Sequence, residues 1–316
     1  MIDRNPSADR LIEARDVVRL AALAALAPVA VVAPEQHWGS VGRSTERILR
    51  TVLYRARSAR VEHIARITKG RSDLPDAERI DREVIAGRVE QELIYLRELF
   101  RPNPSEPRAS ISGKEHIESA LERRRGCILW VAPFLFGSLL VKKGLRQAGF
   151  DVSHLSYYRH GPSNSRLGHR LVNSMRIRGE DPYISERLSM APGTELSCLR
   201  KLERYVRSNG IASITVAHLC HRTVELPVLC GHMSVGTGAP ALAVTTGAAL
   251  LPVFGHRPGP GRFEIVIEPA LEPREASRAR AATDDLLERY AGLLESYVVR
   301  FPFSFSVWSL LRTDQD

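Results

Sequence analysis

The chain has 316 residues, a formal net charge of +9 and an apolar content of 44%, which excludes a chain too polar to bury a sizeable core. Arginine far outnumbers lysine, and so basic a balance points to an anionic partner: a phospholipid surface, a phosphorylated substrate, an acidic carrier protein or RNA. The four cysteines, Cys127, Cys198, Cys220 and Cys230, are too few and too scattered for a disulfide scaffold, so a reducing, cytoplasmic setting is expected.

No cleavable signal peptide is read at the N-terminus. Charged residues (Asp3, Arg4, Asp9, Arg10, Glu13, Arg15, Asp16, Arg19) precede an alanine-rich apolar run from Leu20 to Ala33, broken by Pro28. A membrane span needs about 20 apolar residues, so the run is expected as a buried helix or as a helix lying on a membrane surface. Arg43 to Thr68 follows as an amphipathic helix, with Ile48, Val52, Ala56, Ala59, Ile64 and Ile67 opposite Arg47, Arg50, Arg55, Arg57, Arg60 and Arg66. Its basic face is either solvated or a membrane or phosphate contact. Ala77 to Phe100 is a third helix, and residues 101–108 form a proline-rich linker. A helical segment, 1–108, thus precedes an α/β part, 109–316.

From residue 111 helices and strands alternate. Ser112 to Glu115 reads as a capping box opening a helix that ends near Gly126. Cys127 to Ala132 is a buried strand, Pro133 to Ser138 a turn, and Leu139 to Ala148 a helix. Val152 to Tyr157 is the next strand, followed by helices over Asn164 to Arg178 and Glu195 to Ser208 and a strand over Ile211 to Leu219. Val224 to Leu229 reads as a strand, Gly231 to Gly238 as a glycine-rich turn, Ala239 to Thr246 as a helix and Leu250 to Phe254 as a strand. Such a turn either brings a helix N-terminus close to an anionic ligand or simply packs tightly. Arg262 to Ile267 is the last strand and Ala276 to Arg300 the last helix. Strands separated by helices of this length predict a mostly parallel, twisted sheet covered on both faces. Arg123 to Arg125, Lys142, Lys143 and Arg146 are expected on the surface, facing an acidic carrier or lipid headgroups. There is no Walker or dinucleotide fingerprint, and no cofactor is expected.

Several stretches together resemble the lipid A biosynthesis lauroyl/myristoyl acyltransferases of the lysophospholipid acyltransferase superfamily. The GCILWVAPFLFG strand and turn, the stretch GHMSVGTGAPALAVTTGAALLPVF and the ending FPFSFSVWSL fall in the family's order. The family's next strand ends in a Tyr-Arg pair followed by an Asn and a spaced Arg, here similar to Tyr158, Arg159, Asn164 and Arg170. The resemblance implies a lysophospholipid acyltransferase-like fold. It also implies a substrate cleft walled by these four residues and by Gly231, Gly236, Thr237 and Gly238.

The family's catalytic His-x4-Asp/Glu, which should follow the first core strand, is missing. Residues 133–140 contain no His, Asp or Glu, and none of the ten histidines has an acid five positions later. Two groups are candidate substitutes. One is His218, Cys220, His221, Cys230 and His232, around a strand end where open α/β sheets place their sites. There His218 or His221 would be the base, and the spacing fits no zinc pattern, so no metal is expected. The other is Ser138 with His154, His160 or His169, where capping or packing is the plainer role for Ser138.

Three functions follow. The chain is an acyltransferase-like enzyme with a rearranged base, a non-catalytic relative that binds lipid or carrier, or a membrane-surface protein governed by its basic helices. The donor in the first is an acyl thioester on acyl carrier protein or acyl-CoA, or an aminoacyl-tRNA that suits the charge. The acceptor is a hydroxyl or an amine, which when neutral is nucleophilic without a strong base. A cytoplasmic protein, peripheral at the inner face of a membrane, fits this reading.

Overall fold

The apolar runs that lie between helices in the sequence become the middle of a seven-stranded sheet. The computed structural model describes residues 10–52, 54–103, 109–158, 160–216, 222–259, 261–274 and 278–313. Four helices come first: α1 (Ala14–Val32), α2 (Trp38–Val52), α3 (Tyr54–Ile67) and α4 (Ala77–Phe100). The α/β part opens with β1 (Ala109–Ser112), α5 (Lys114–Glu122), β2 (Cys127–Val131), α6 (Leu139–Gln147) and β3 (Val152–Tyr157). It continues with α7 (Arg166–Gly168), a π-helical turn (His169–Asn173), α8 (Ser174–Glu180), β4 (Glu186–Met190), α9 (Glu195–Arg207) and β5 (Ile211–Thr215). β6 (Thr223–Val228), β7 (Gly231–Gly236), α10 (Gly238–Thr246), β8 (Ala249–Gly259), β9 (Arg262–Ile267), α11 (Ala279–Arg300) and β10 (Leu311–Arg312) complete it.

The large sheet has the order β1-β9-β8-β2-β5-β3-β4 and is parallel at every pairing except β8 with β9. β2 lies between β8 and β5 and is buried along its whole length. Ile128 and Trp130 enter the core shared with α11, while Leu129 and Val131 enter the core on the other face. That two-sided burial explains the unbroken apolar run, because alternation is lost when both faces are covered. The ending Phe301–Trp308 folds back over the turn after β2, where Leu135 N donates to Ser304 O (2.8 Å) and Ser306 N to Pro133 O (3.1 Å).

α1, α2 and α3 pack on α4, which also docks on the sheet domain. Arg88 donates to Ser306 O and Gln91 to Leu135 O. Residue 108 therefore separates helices from sheet along the sequence, while α4 packs against both.

Several expectations are corrected. Arg43 to Thr68 is two helices on either side of residue 53 rather than one. Two of its arginines pair with α4, Arg57 with Glu78 at 3.0 Å and Arg60 with Asp81 at 2.7 Å, so the face is not wholly solvated. α1 is not a buried helix: Val17, Val18 and Val32 are exposed. The cap of α5 is Gly113, not Ser112. Gly113 has φ +81°, and a Cβ there would lie 1.9 Å from the carbonyl oxygen of Ile267, so only glycine fits.

Residues 231–236 are a strand and not a turn, paired antiparallel with β6 on one side and β10 on the other. β1 and β4 were not expected as strands. Among the described residues no helix is long and apolar enough to cross a membrane.

Candidate active site

β2, β5 and β3 are neighbours in the sheet and run parallel, so their carboxyl ends lie along one edge. The loop after β2 ends in Ser138, and the loop after β3 contains His160. Both side chains converge on one carboxylate, that of Glu180 at the end of α8. Ser138 Oγ donates to Glu180 Oε1 at 2.7 Å, and His160 Nε2 lies 3.2 Å from Oε1 and 3.0 Å from Oε2.

Three further donors reach the same carboxylate from different elements. Tyr95 Oη, on α4, donates to Oε1 at 2.6 Å; Lys142 Nζ, on α6, donates to Oε2 at 2.8 Å; Arg187 Nη2, on β4, donates to Oε2 at 3.1 Å. Lys142 Nζ also donates to Ser138 Oγ at 3.1 Å, and Arg187 Nε to Asp181 Oδ1 at 2.7 Å. Below this group the sheet presents a polar row across three strands: Ser213, His154 and Arg187 sit in register, and His154 Nδ1 lies 3.3 Å from Ser213 Oγ.

The electrostatics follow from burial. Glu180 has no exposure. Desolvation alone would raise its pKa, but Lys142 and His160 beside it hold it well below the usual carboxylate range. Lys142 is drawn down by burial despite Glu180, and His154 is pushed well below the ordinary histidine value by burial and by Lys142. An ionised carboxylate only accepts, so its partner nitrogen on His160 must carry the proton. Nε2–H of His160 thus faces the carboxylate, and Nδ1 makes no hydrogen bond among the described residues. Its side chain is 23% exposed, whereas those of Glu180 and Lys142 are 0% and 3%. Ser138 and Arg187 are partly exposed as well, so these two and His160 lie on the outer side of the group.

Of the residues singled out from sequence, Ser138, His154 and His160 are thus brought together. His169 is elsewhere, 3.4 Å from Asn173. Tyr158 follows β3 directly and stacks edge-on with Tyr157, Asn164 lies in the loop beyond, and Arg170 is exposed on the π-helical turn. Gly231 is buried in β7, where a Cβ would meet Ile67 and the carbonyl of Arg312 at 2.7 Å, so it serves close packing. Gly236 ends β7 and Thr237 caps α10, with Thr237 N donating to Arg222 O (3.1 Å). Gly238 opens α10 and faces open space. Arg159, His218, Cys220 and His221 lie outside the described residues. Among the described residues no cluster of His, Cys, Asp or Glu is placed to hold a metal.

Sequence reading missed Glu180, Arg187 and Tyr95, and placed Lys142 and Lys143 on the surface. Both lysines are buried, at 3% and 1% exposure. The signal was there in LLVKKGL, where two lysines sit inside an otherwise apolar helix, and Lys142 follows Ser138 by one helical turn.

No family model matches this sequence, and no curated protein gives a significant match. What the residues define is an α/β protein with a largely parallel sheet. At its strand-carboxyl edge stands a partly exposed imidazole paired with a buried, many-donor carboxylate.

Proposed function

We propose that the chain is an acyltransferase-like enzyme, related to the lipid A acyltransferases, in which His160 and Glu180 stand in for the missing His-x4-acid pair. The observation that carries this reading is the 3.0 Å contact between His160 Nε2 and Glu180 at the sheet's carboxyl edge. A general base needs an imidazole with a free lone pair, and a carboxylate behind it fixes the tautomer and stabilises the cation that forms.

In the step itself, His160 Nδ1 takes the proton of the acceptor hydroxyl or amine as that atom attacks the donor carbonyl. The bond to the leaving thiolate or alkoxide then breaks, and His160 returns the proton to it. Lys142 and Arg187 hold the Glu180 carboxylate in place and balance its charge, with Asp181 in turn pairing with Arg187. Ser138 and Tyr95 fix the carboxylate. The donor is an acyl thioester or an aminoacyl ester. Exposed Ile48 and Tyr54, beside exposed Arg47, Arg50 and Arg55, suit an anionic membrane surface, which sedimentation with anionic vesicles checks.

The direct test incubates the purified protein with acyl-CoA, acyl carrier protein thioesters and aminoacyl-tRNA, each with simple alcohols and amines, and reads products by mass spectrometry. Transfer from any of these donors is expected. Binding of donor without transfer from any of them would overturn the enzymatic reading in favour of a lipid- or carrier-binding protein.

A further inference from the structure

The loop that carries His160 is not held by the sheet alone. Past His160 the chain turns at Gly161 (φ +128°), where a Cβ would lie 2.5 Å from the Asn173 side chain. Asn173 accepts from Ser163 N (3.0 Å) and donates to Ser163 O (2.8 Å). The rest of the loop is gripped by the N-terminal helix. Ser165 Oγ donates to Asp16 Oδ2 at 2.6 Å and accepts from Gly168 N at 3.0 Å. Arg19 Nη1 reaches Pro162 O at 3.3 Å. Backbone bonds run from Arg166 N to Arg10 O (3.2 Å) and from Leu167 N to Leu11 O (2.9 Å).

Asp16 is fully buried. Gly168 is shaped around it: a Cβ there would lie 2.0 Å from Ser163 Oγ and 2.7 Å from Asp16 Oδ2. Enclosing an ionised carboxylate is costly unless it is paired and hydrogen-bonded, and here Ser165 donates to Oδ2 while Arg19 Nη1 lies 3.7 Å from Oδ1. Burial works against its charge, but Ser165 and Ser163 outweigh that and hold its pKa below the ordinary value. It is separated from the Glu180 group in the sequence and belongs to a helix whose outward residues, Val17 and Val18, are exposed and apolar.

We propose that Asp16 is a positioning residue, which clamps residues 161–168 through Ser165 so that His160 is held against Glu180. The proposal rests on His160 being the base. It assigns α1 a task beyond covering α4: the helix sets the position of the catalytic loop, so anything that shifts α1 shifts the imidazole.

The test is the rate at which diethylpyrocarbonate modifies each histidine of the full chain, followed by peptide mass mapping, with circular dichroism to confirm folding. In Asp16→Ala the clamp is lost, and His160 is expected to react about tenfold faster than in the wild type, the size of one lost charge-assisted hydrogen bond. Buried His154 and His256 should stay as slow as before. In Asp16→Asn an acceptor for Ser165 remains, so the His160 rate should return to within about twofold of wild type. If Asp16→Ala does not fold, Ser165→Ala is read in the same way.

An unchanged His160 rate in a folded variant, or His154 and His256 accelerating in step with it, would overturn the proposal. Failure of Asn to restore the slow rate would do the same. Because the labelling needs no substrate, it can fail or succeed independently of the transfer assay.

Discussion

Two consecutive lysines on α6 build two similar buried clusters with different characters. Lys142 pairs with Glu180 at 2.8 Å, and Glu180 also accepts a tyrosine hydroxyl, from Tyr95. Lys143 pairs with Glu98 at 2.5 Å, and Glu98 also accepts a tyrosine hydroxyl, from Tyr183. Lys143 further donates to Asn103 O at 2.7 Å and sits over the Tyr183 ring. In this second cluster the groups tie α4, α6 and the turn after α8 together. The first cluster adds Ser138, Arg187 and His160, which are its partly exposed members. Burial of an ion pair is thus shared by both. What sets one apart as a site is the surplus of donors around one carboxylate and a titratable group at its exposed edge.

The strongest way to probe this contrast is to neutralise each carboxylate. Glu180→Gln and Glu98→Gln both leave a buried lysine without its partner, and each is expected to lose about 3–5 kcal/mol in denaturant unfolding. Under conditions where both stay folded, only Glu180→Gln should abolish transfer. Equal loss of transfer in both would erase the distinction.

Acid stability separates the clusters next. His154, beneath the Lys142 cluster, is kept neutral in the folded state and held well below its ordinary value, while an unfolded histidine titrates near about 6.5. Below that pH the unfolded chain binds a proton that the folded chain refuses. Stability therefore falls with acidification, by up to about 1.4 kcal/mol per pH unit. Glu180, whose folded pKa is depressed, stabilises above the ordinary carboxylate range and loses that contribution as pH falls through its depressed folded value. Urea unfolding across pH checks this. His154→Gln should shrink the upper phase, leaving the share of buried His256, whose pKa burial also lowers, and keep the lower one.

The smallest effect is expected from Ser138→Ala, which removes one of five donors to Glu180. Transfer should stay within about tenfold of wild type. Complete loss would make Ser138 a nucleophile instead of a support for the carboxylate.

The fold was legible where burial leaves a mark on spacing. α4 matches its expected bounds, Ala77 to Phe100, because apolar residues recur along its inner side, and β2 was plain from CILWV. β4 was not, since ERLSM buries little besides Leu188 and is held by pairing with β3. Gly231 to Gly236 misled because Gly231 serves close packing in a strand, where a turn was the commoner meaning.

At the site, Ser138 and His160 could be named as candidates from their places after two strands. Glu180 could not. It is twenty residues from His160, at the end of a basic helix, and only the packing of α8 under α6 brings the two together. Lys142 looked like a surface charge because a charged side chain is usually one.

The central claim is that His160 is the base. It is tested most directly by measuring transfer rates of His160→Ala, His218→Ala and His221→Ala side by side, with thermal unfolding of each. The account predicts a loss of about 10²–10⁴-fold for His160→Ala with little change in melting temperature, and near wild-type transfer for the other two. Retained transfer in His160→Ala, with loss in His218→Ala or His221→Ala, would contradict it.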